Sequence, residues 1–109
     1  MPLIPYNKLV RDKIPEIIIS QGNTPEIETL NQEDFSRELD KKLLEETNEY
    51  LSSGSIAELA DVFQVILTII CEHGITFDQF ETLRLEIAAK CGEFNKRVFL
   101  SQVIINKRG

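Results

Sequence analysis

Two acidic pairs with the same spacing are the residues of this chain best suited to metal chemistry. Glu46 and Glu49 form the first pair, and Glu58 and Asp61 form the second. The members of each pair are three residues apart, so on a helix both side chains project from the same side. Residues 52–55, Ser-Ser-Gly-Ser, break the helical pattern between the pairs. Two helices that meet antiparallel across this break would direct four carboxylates at one another.

The surroundings of these acids differ from those of a solvated surface. The helix of the first pair has an apolar stripe made of Phe35, Leu39, Leu43 and Tyr50. Glu46 falls within this stripe, Glu49 lies at its edge, and Glu45 is expected to point further toward solvent. Residues 62–71 carry no charge, so the helix that Glu58 opens is expected to be largely buried. Carboxylates are seldom buried unless they are paired or bind a metal.

A divalent cation is the simplest way to hold these acids together, because residues 43–83 contain neither lysine nor arginine. Four converging carboxylates would otherwise repel one another strongly. Mg²⁺ and Mn²⁺ favour oxygen ligands. The predicted metal ligands are Glu46, Glu49, Glu58 and Asp61. A carboxylate that is not fully used as a ligand, Glu49 or Glu46, can accept a proton from water bound to the cation, and it is therefore the candidate general base.

An alternative interpretation needs no metal, because glutamate is a good helix former and acidic runs are commonly solvated helix faces. Ser55 is followed three residues later by Glu58, which is the pattern of a capping box. Glu58 would then have a structural role at a helix start. On this interpretation the chain is a helical oligomerisation or binding module.

Helix signals occur at four places along the chain. The expected N-caps are Asp12, Asn31, Ser55 and Thr76. The predicted helices cover residues 12–21, 32–52, 55–73 and 77–91. Two further segments have strand-like patterns: residues 25–30 alternate weakly, and residues 97–104 are rich in β-branched and aromatic side chains. The predicted fold is therefore mainly all-α, a bundle of about four helices with a small β-hairpin formed by these two segments.

Length and charge limit the classes of partner. A chain of 109 residues predicts one domain over residues 1–109. Its net charge of −6 argues against a nucleic-acid polymer held by a basic surface. Two cysteines are too few for a disulfide framework, no secretory signal is recognised, and the uncharged stretch 62–71 is too short to span a membrane. A cytoplasmic protein is expected. The apolar helix 55–73 further predicts a homodimer or homotetramer.

Clustered cations supply candidate phosphate contacts. One group, Lys8, Arg11 and Lys13, lies near the N-terminus. These cations are expected either to contact phosphate or the acidic site, or to be ordinary surface charge. A second group, Lys90, Lys96 and Arg97, precedes the β-branched tail. A polyphosphate substrate requires such donors alongside metal ions, because they balance its charge and donate hydrogen bonds to its oxygens.

The acidic motif, Glu46-x-x-Glu49 followed by Glu58-x-x-Asp61, resembles the signature of the all-α nucleoside triphosphate pyrophosphatases. This superfamily includes MazG, dimeric dUTPase and phosphoribosyl-ATP pyrophosphohydrolase. Residues 7–15, Asn-Lys-Leu-Val-Arg-Asp-Lys-Ile-Pro, and residues 90–100, Lys-Cys-Gly-Glu-Phe-Asn-Lys-Arg-Val-Phe-Leu, are similar to the small MazG-like, phosphoribosyl-ATP pyrophosphohydrolase-like house-cleaning branch. The resemblance extends over almost the whole chain.

The resemblance implies a helical bundle that binds Mg²⁺, with Mn²⁺ as a possible substitute, through the four acids. It implies cleavage between the α and β phosphates of a nucleoside triphosphate, which gives a monophosphate and pyrophosphate. The phosphate contacts that it implies are Lys8, Arg11, Lys13, Lys90 and Arg97. A phosphoribosyl nucleotide in place of the nucleoside triphosphate is the alternative substrate.

Overall fold

The computed structural model describes residues 2–107, which form four α-helices and no strand. The helices are α1 (Ile14–Ser20), α2 (Gln32–Ser53), α3 (Ile56–Glu72) and α4 (Phe77–Cys91). The all-α prediction is confirmed, and the predicted helix ends lie within two residues of the observed ones. Contacts divide the chain into two compact units, of which the first ends at Phe77 and the second begins at Asp78. The single domain over 1–109 stays a prediction.

Local caps explain where the helices of the first unit begin. The Asn31 side chain accepts a hydrogen bond from the Asp34 N–H at 2.8 Å, which satisfies one of the free donors at the start of α2. The Ser55 hydroxyl accepts from the Ala57 N–H at the start of α3. The N-cap of α1 is Lys13, which makes no side-chain cap. The prediction of Asp12 as that cap was wrong, because a turn in which the Ile14 N–H donates to the Arg11 carbonyl at 3.0 Å precedes the helix, which begins one residue later.

The turn between α2 and α3 brings the two acidic pairs together. Gly54 ends α2 in the left-handed region at φ 67°, where a side chain would be strained. Because only Gly54 and Ser55 separate the helices, α3 folds back and packs against α2. The buried apolar side chains of the described residues are Leu39, Val65 and Ile70. This small core fixes how far along α2 each turn of α3 lies.

Helix α3 is less buried than its sequence predicts. Val65 and Ile70 are its buried residues, whereas Phe63 remains 52% exposed. A helix has several faces, and α2 covers one of them. The expectation that α3 is largely buried, which rested on the absence of charge in residues 62–71, is therefore wrong for this single chain.

The predicted β-hairpin is not formed. Residues 25–30 and 97–104 contain no strand, and neither 25–30 nor 98–104 makes a backbone hydrogen bond in the described part of the chain. Side chains that suit a pleated surface do not make a strand without a partner for the backbone groups. The prediction of a hairpin from these segments was wrong for this reason.

None of the described helices is by itself long and apolar enough to cross a membrane; α3 and α4 taken together meet that test by length and composition alone.

Candidate metal centre

Three of the four predicted acids converge between α2 and α3. One carboxylate oxygen each from Glu46, Glu58 and Asp61 lies within 4.8 Å of the others. We call these three residues the acid cluster. Glu46 comes from the middle of α2, and the other two come from the first two turns of α3. Oxygens this close together can bind one small cation, because each carboxylate supplies a negatively charged donor.

Glu49, the fourth predicted ligand, is not among these three. It is exposed and lines an open cavity of about 470 Å³, together with Lys8, Asn48 and Glu58. Glu49 nevertheless acts on the acid cluster, because repulsion from its carboxylate helps to raise the pKa of Glu46. The structure therefore places Glu49 at the opening beside the acid cluster.

Glu46 is the only buried charged residue in the described part of the chain, with 8% of its surface exposed. Its Oε1 lies 3.4 Å from Lys42 Nζ, whereas its buried Oε2 has no hydrogen-bond partner within residues 2–107. Burial, followed by repulsion from Glu49, raises the pKa of this carboxyl, and Lys42 partly opposes the change. A buried oxygen without a partner costs roughly 1–3 kcal/mol. A cation would satisfy that oxygen.

Two neighbours of Glu46 were missed by the sequence analysis. Lys42 lies just outside the cation-free interval 43–83, and its spacing of four residues from Glu46 was the available signal. Glu45 was expected to face solvent, which was wrong. Its side chain is 25% exposed and lies 2.9 Å from Lys8 and 3.2 Å from Lys42. The hydrogen bond from Lys8 is the main cause that lowers the pKa of Glu45.

The predicted N-terminal cations meet acids at this site. Arg11 donates a hydrogen bond from its Nη2 to Asp61 Oδ1 at 2.6 Å, and so attaches the N-terminal segment to α3. Lys8 attaches the same segment to α2 through Glu45, which raises the pKa of Lys8. Lys13 is exposed and forms none of the ion pairs of the described residues. Two of the three predicted N-terminal phosphate contacts therefore lie at the acids.

The remaining predicted cations lie in the second unit. Lys90 occupies the last turn of α4 and is exposed. Arg97 is exposed, has a left-handed backbone at φ 56°, and donates its N–H to the Phe94 carbonyl at 3.1 Å. A turn at Phe94–Arg97 therefore presents this guanidinium to solvent. The phosphate-binding role of both residues stays a prediction.

The capping role proposed for Glu58 is not realised. In a capping box, the Glu58 carboxylate would accept a hydrogen bond from the Ser55 N–H. That N–H instead donates to the Ser53 hydroxyl at 3.1 Å. The Glu58 carboxylate is therefore not engaged as a cap, and it belongs to the acid cluster.

Comparison with known proteins assigns no activity. No protein-family model matches the chain, and no solved structure matches it. A protein of Mycolicibacterium smegmatis, described only as uncharacterized, is 50% identical to it over 42 residues. These residues make up 38% of this chain and 43% of that protein, so the similarity spans less than half of each.

Proposed function

We propose that this protein is a Mg²⁺-dependent nucleotide pyrophosphohydrolase. It cleaves the α–β phosphate bond of a nucleoside triphosphate and releases a monophosphate and pyrophosphate. The observation that carries this proposal is the acid cluster with its buried Glu46 Oε2, which has no hydrogen-bond partner among the described residues. The resemblance of the acidic motif and both end segments to the all-α nucleoside triphosphate pyrophosphatases supports the same reaction.

The donor set fits a hard divalent cation. Glu46, Glu58 and Asp61 offer only oxygen, the ligand that Mg²⁺ and Mn²⁺ prefer. These three residues would hold the ion, with Glu49 at the opening as the fourth predicted ligand. A divalent cation in such a site supplies charge neutralisation for phosphate oxygens and lowers the pKa of water.

The residues around the acid cluster have separate roles in the proposed reaction. Glu49 is the proposed proton acceptor for the attacking water, because it is close to Glu46 yet outside the three-acid group. Lys8 and Glu49 line the same open cavity, where the Lys8 ammonium group can stabilise charge on the departing pyrophosphate. Arg11 is a further proposed phosphate contact at the acids. Lys13, Lys90 and Arg97 are proposed as phosphate contacts from the resemblance alone.

The test is product analysis after incubation with canonical and modified nucleoside triphosphates in Mg²⁺, Mn²⁺ or EDTA. We expect equimolar monophosphate and pyrophosphate from a few of these substrates with either metal, and none with EDTA. Release of a diphosphate and inorganic phosphate would contradict α–β cleavage. Activity on a phosphoribosyl nucleotide alone would favour the alternative substrate. No hydrolysis of any compound would favour the binding module.

We also propose that the chain works as a homodimer or homotetramer in the cytoplasm, without nucleic-acid polymers or membranes as partners. Large apolar side chains are exposed to solvent in the single chain, and Phe63 on α3 and Phe99 in the tail are examples. Burying such side chains between subunits removes apolar surface from water. Light scattering during gel filtration should give two or four times the chain mass of 12.5 kDa. A mass of one chain at micromolar concentration would exclude the oligomer.

A further inference from the structure

We infer that Arg11 is a positioning residue for the acid cluster. Its guanidinium fixes one oxygen of Asp61, so that the second oxygen is directed toward a cation bound with Glu46 and Glu58. This inference rests on the proposed metal centre, and it does not require that the bound cation act on a nucleotide.

The contact between Arg11 and Asp61 has the features of a restraint. The Nη2 to Oδ1 distance is 2.6 Å, and 50 residues separate the two in sequence. The Asp61 side chain is 41% exposed, so packing alone does not hold its orientation. Charge-assisted hydrogen bonds are about twice as strong as neutral ones.

The segment that carries Arg11 is anchored at two points. Lys8 pairs with Glu45 on α2 at 2.9 Å, and Arg11 pairs with Asp61 on α3. Residues 8–11, which we call the N-terminal strap, therefore link the two helices that form the acid cluster. The first anchor limits where the Arg11 backbone can lie. The orientation of Asp61 thus depends on contacts with both helices.

The site keeps a net negative charge while Arg11 stays on Asp61, so a divalent cation can still bind there. Five acids lie at the site: Glu45, Glu46, Glu49, Glu58 and Asp61. Three cations contact these acids: Lys8, Arg11 and Lys42. Five negative and three positive formal charges leave −2, which one divalent cation neutralises. A carboxylate has two oxygens, so Asp61 can accept from Arg11 at Oδ1 and offer Oδ2 to the ion.

The opposite role for Arg11 would be competition with the metal. In that case, the guanidinium would occupy the place of the cation and would have to leave Asp61 before binding. The two roles predict opposite effects of removing Arg11. Positioning predicts weaker metal binding in the variant, whereas competition predicts tighter binding.

Calorimetric titration with Mn²⁺ alone distinguishes these roles. Loss of a group that orients a ligand typically costs 10–100-fold in metal affinity, so we expect Arg11→Gln to weaken Mn²⁺ binding by about 10-fold or more. Arg11→Lys keeps the charge and should restore part of the affinity. The matched control is Arg37→Gln, which removes the same charge from a pair with Asp34 at 3.2 Å in the first turns of α2. It should change the affinity less than about 2-fold, because Arg37 lies nine residues, roughly 13 Å along the helix, from Glu46.

Equal or tighter Mn²⁺ binding by Arg11→Gln would overturn the positioning role. An equal loss in Arg37→Gln would also overturn it, since net charge would then be the cause. If the wild-type chain bound no Mn²⁺, both this inference and the proposed function would fail. If Mn²⁺ binding followed the expected order but no nucleotide were hydrolysed, only the proposed function would fail. Circular dichroism checks that each variant keeps its helices, and Arg11→Lys provides the comparison if Arg11→Gln does not fold.

Discussion

Replacing Glu46 with glutamine is expected to reduce metal-dependent pyrophosphate release more than about 100-fold, while the metal-free protein becomes more stable. The loss of activity follows because Glu46 supplies one of three converging carboxylates, and losing even an outer partner of a metal ligand costs roughly 10–100-fold. An amide oxygen is neutral and binds a hard cation less strongly. Initial rates of the variant and the wild type at saturating Mg²⁺ measure this effect.

The gain in stability follows from the raised pKa of the Glu46 carboxyl. The native state holds this proton more tightly than the unfolded chain. The favourable contribution is therefore fully present below the ordinary value of 4.5 and is lost as pH rises through the raised pKa. Glutamine does not ionise, so above that pH the variant avoids the cost of a buried charge. We expect a gain of about 1 kcal/mol in EDTA at neutral pH, measured by urea unfolding.

Glu38→Gln is the control for this experiment. Glu38 also lies on α2, has a partly exposed side chain, and pairs with Lys41 at 3.0 Å. Its replacement should leave both activity and stability nearly unchanged, because surface ion pairs contribute little. A Glu46→Gln variant that kept half of the wild-type activity, or that was clearly destabilised in EDTA, would contradict the metal-binding role. Glu46 would then serve to stabilise the fold.

Saturating Mg²⁺ or Mn²⁺ is expected to raise the melting temperature by about 10–20 °C over the value in EDTA. A ligand that binds the native state at 100 times its Kd stabilises that state by about 2.7 kcal/mol, and each kcal/mol moves the Tm of a domain near this size by about 4–8 °C. The Asp61→Asn variant should lose most of this shift. Differential scanning fluorimetry over a series of metal concentrations provides the measurement.

The metal-induced shift should also fade at low pH. Glu46 must lose its proton to bind the cation, and its pKa is raised above the ordinary value of 4.5. Stabilisation by metal should therefore begin to fade at a higher pH than an ordinary glutamate would give. A Tm that stays constant to within about 1 °C on adding metal, or a shift that survives in Asp61→Asn, would rule out this metal centre.

Much of the acid cluster was predictable because its determinants are local. The caps at Asn31 and Ser55 and the break at Gly54 set the ends of α2 and α3, and these ends determine which acids can meet. The burial of Glu46 followed from its place in an apolar stripe. Its ion pair with Lys42 also follows a local pattern, a spacing of four residues on one helix, although Lys42 lies just outside the cation-free interval 43–83.

Other features depend on contacts that no local pattern determines. Arg11 and Asp61 are 50 residues apart, so their pairing depends on the path of the chain before α1. The tail around Val98 and Phe99 shows the opposite case, in which a local pattern is present but the predicted strand does not form. Its side chains favour a strand, yet its backbone groups have no strand partner within the described residues. Propensity indicates what a segment can form, and the presence of a partner decides whether it forms.

The position of the ion is the most direct test of the metal centre. Crystals grown with Mn²⁺ should show an anomalous scattering peak bounded by carboxylate oxygens of Glu46, Glu58 and Asp61, at the Mg²⁺-like distances of about 2.0–2.1 Å. The Arg11 guanidinium should remain on Asp61 in the same crystals. A structure determined at a saturating Mn²⁺ concentration, with no peak among these three carboxylates, would contradict the proposed site.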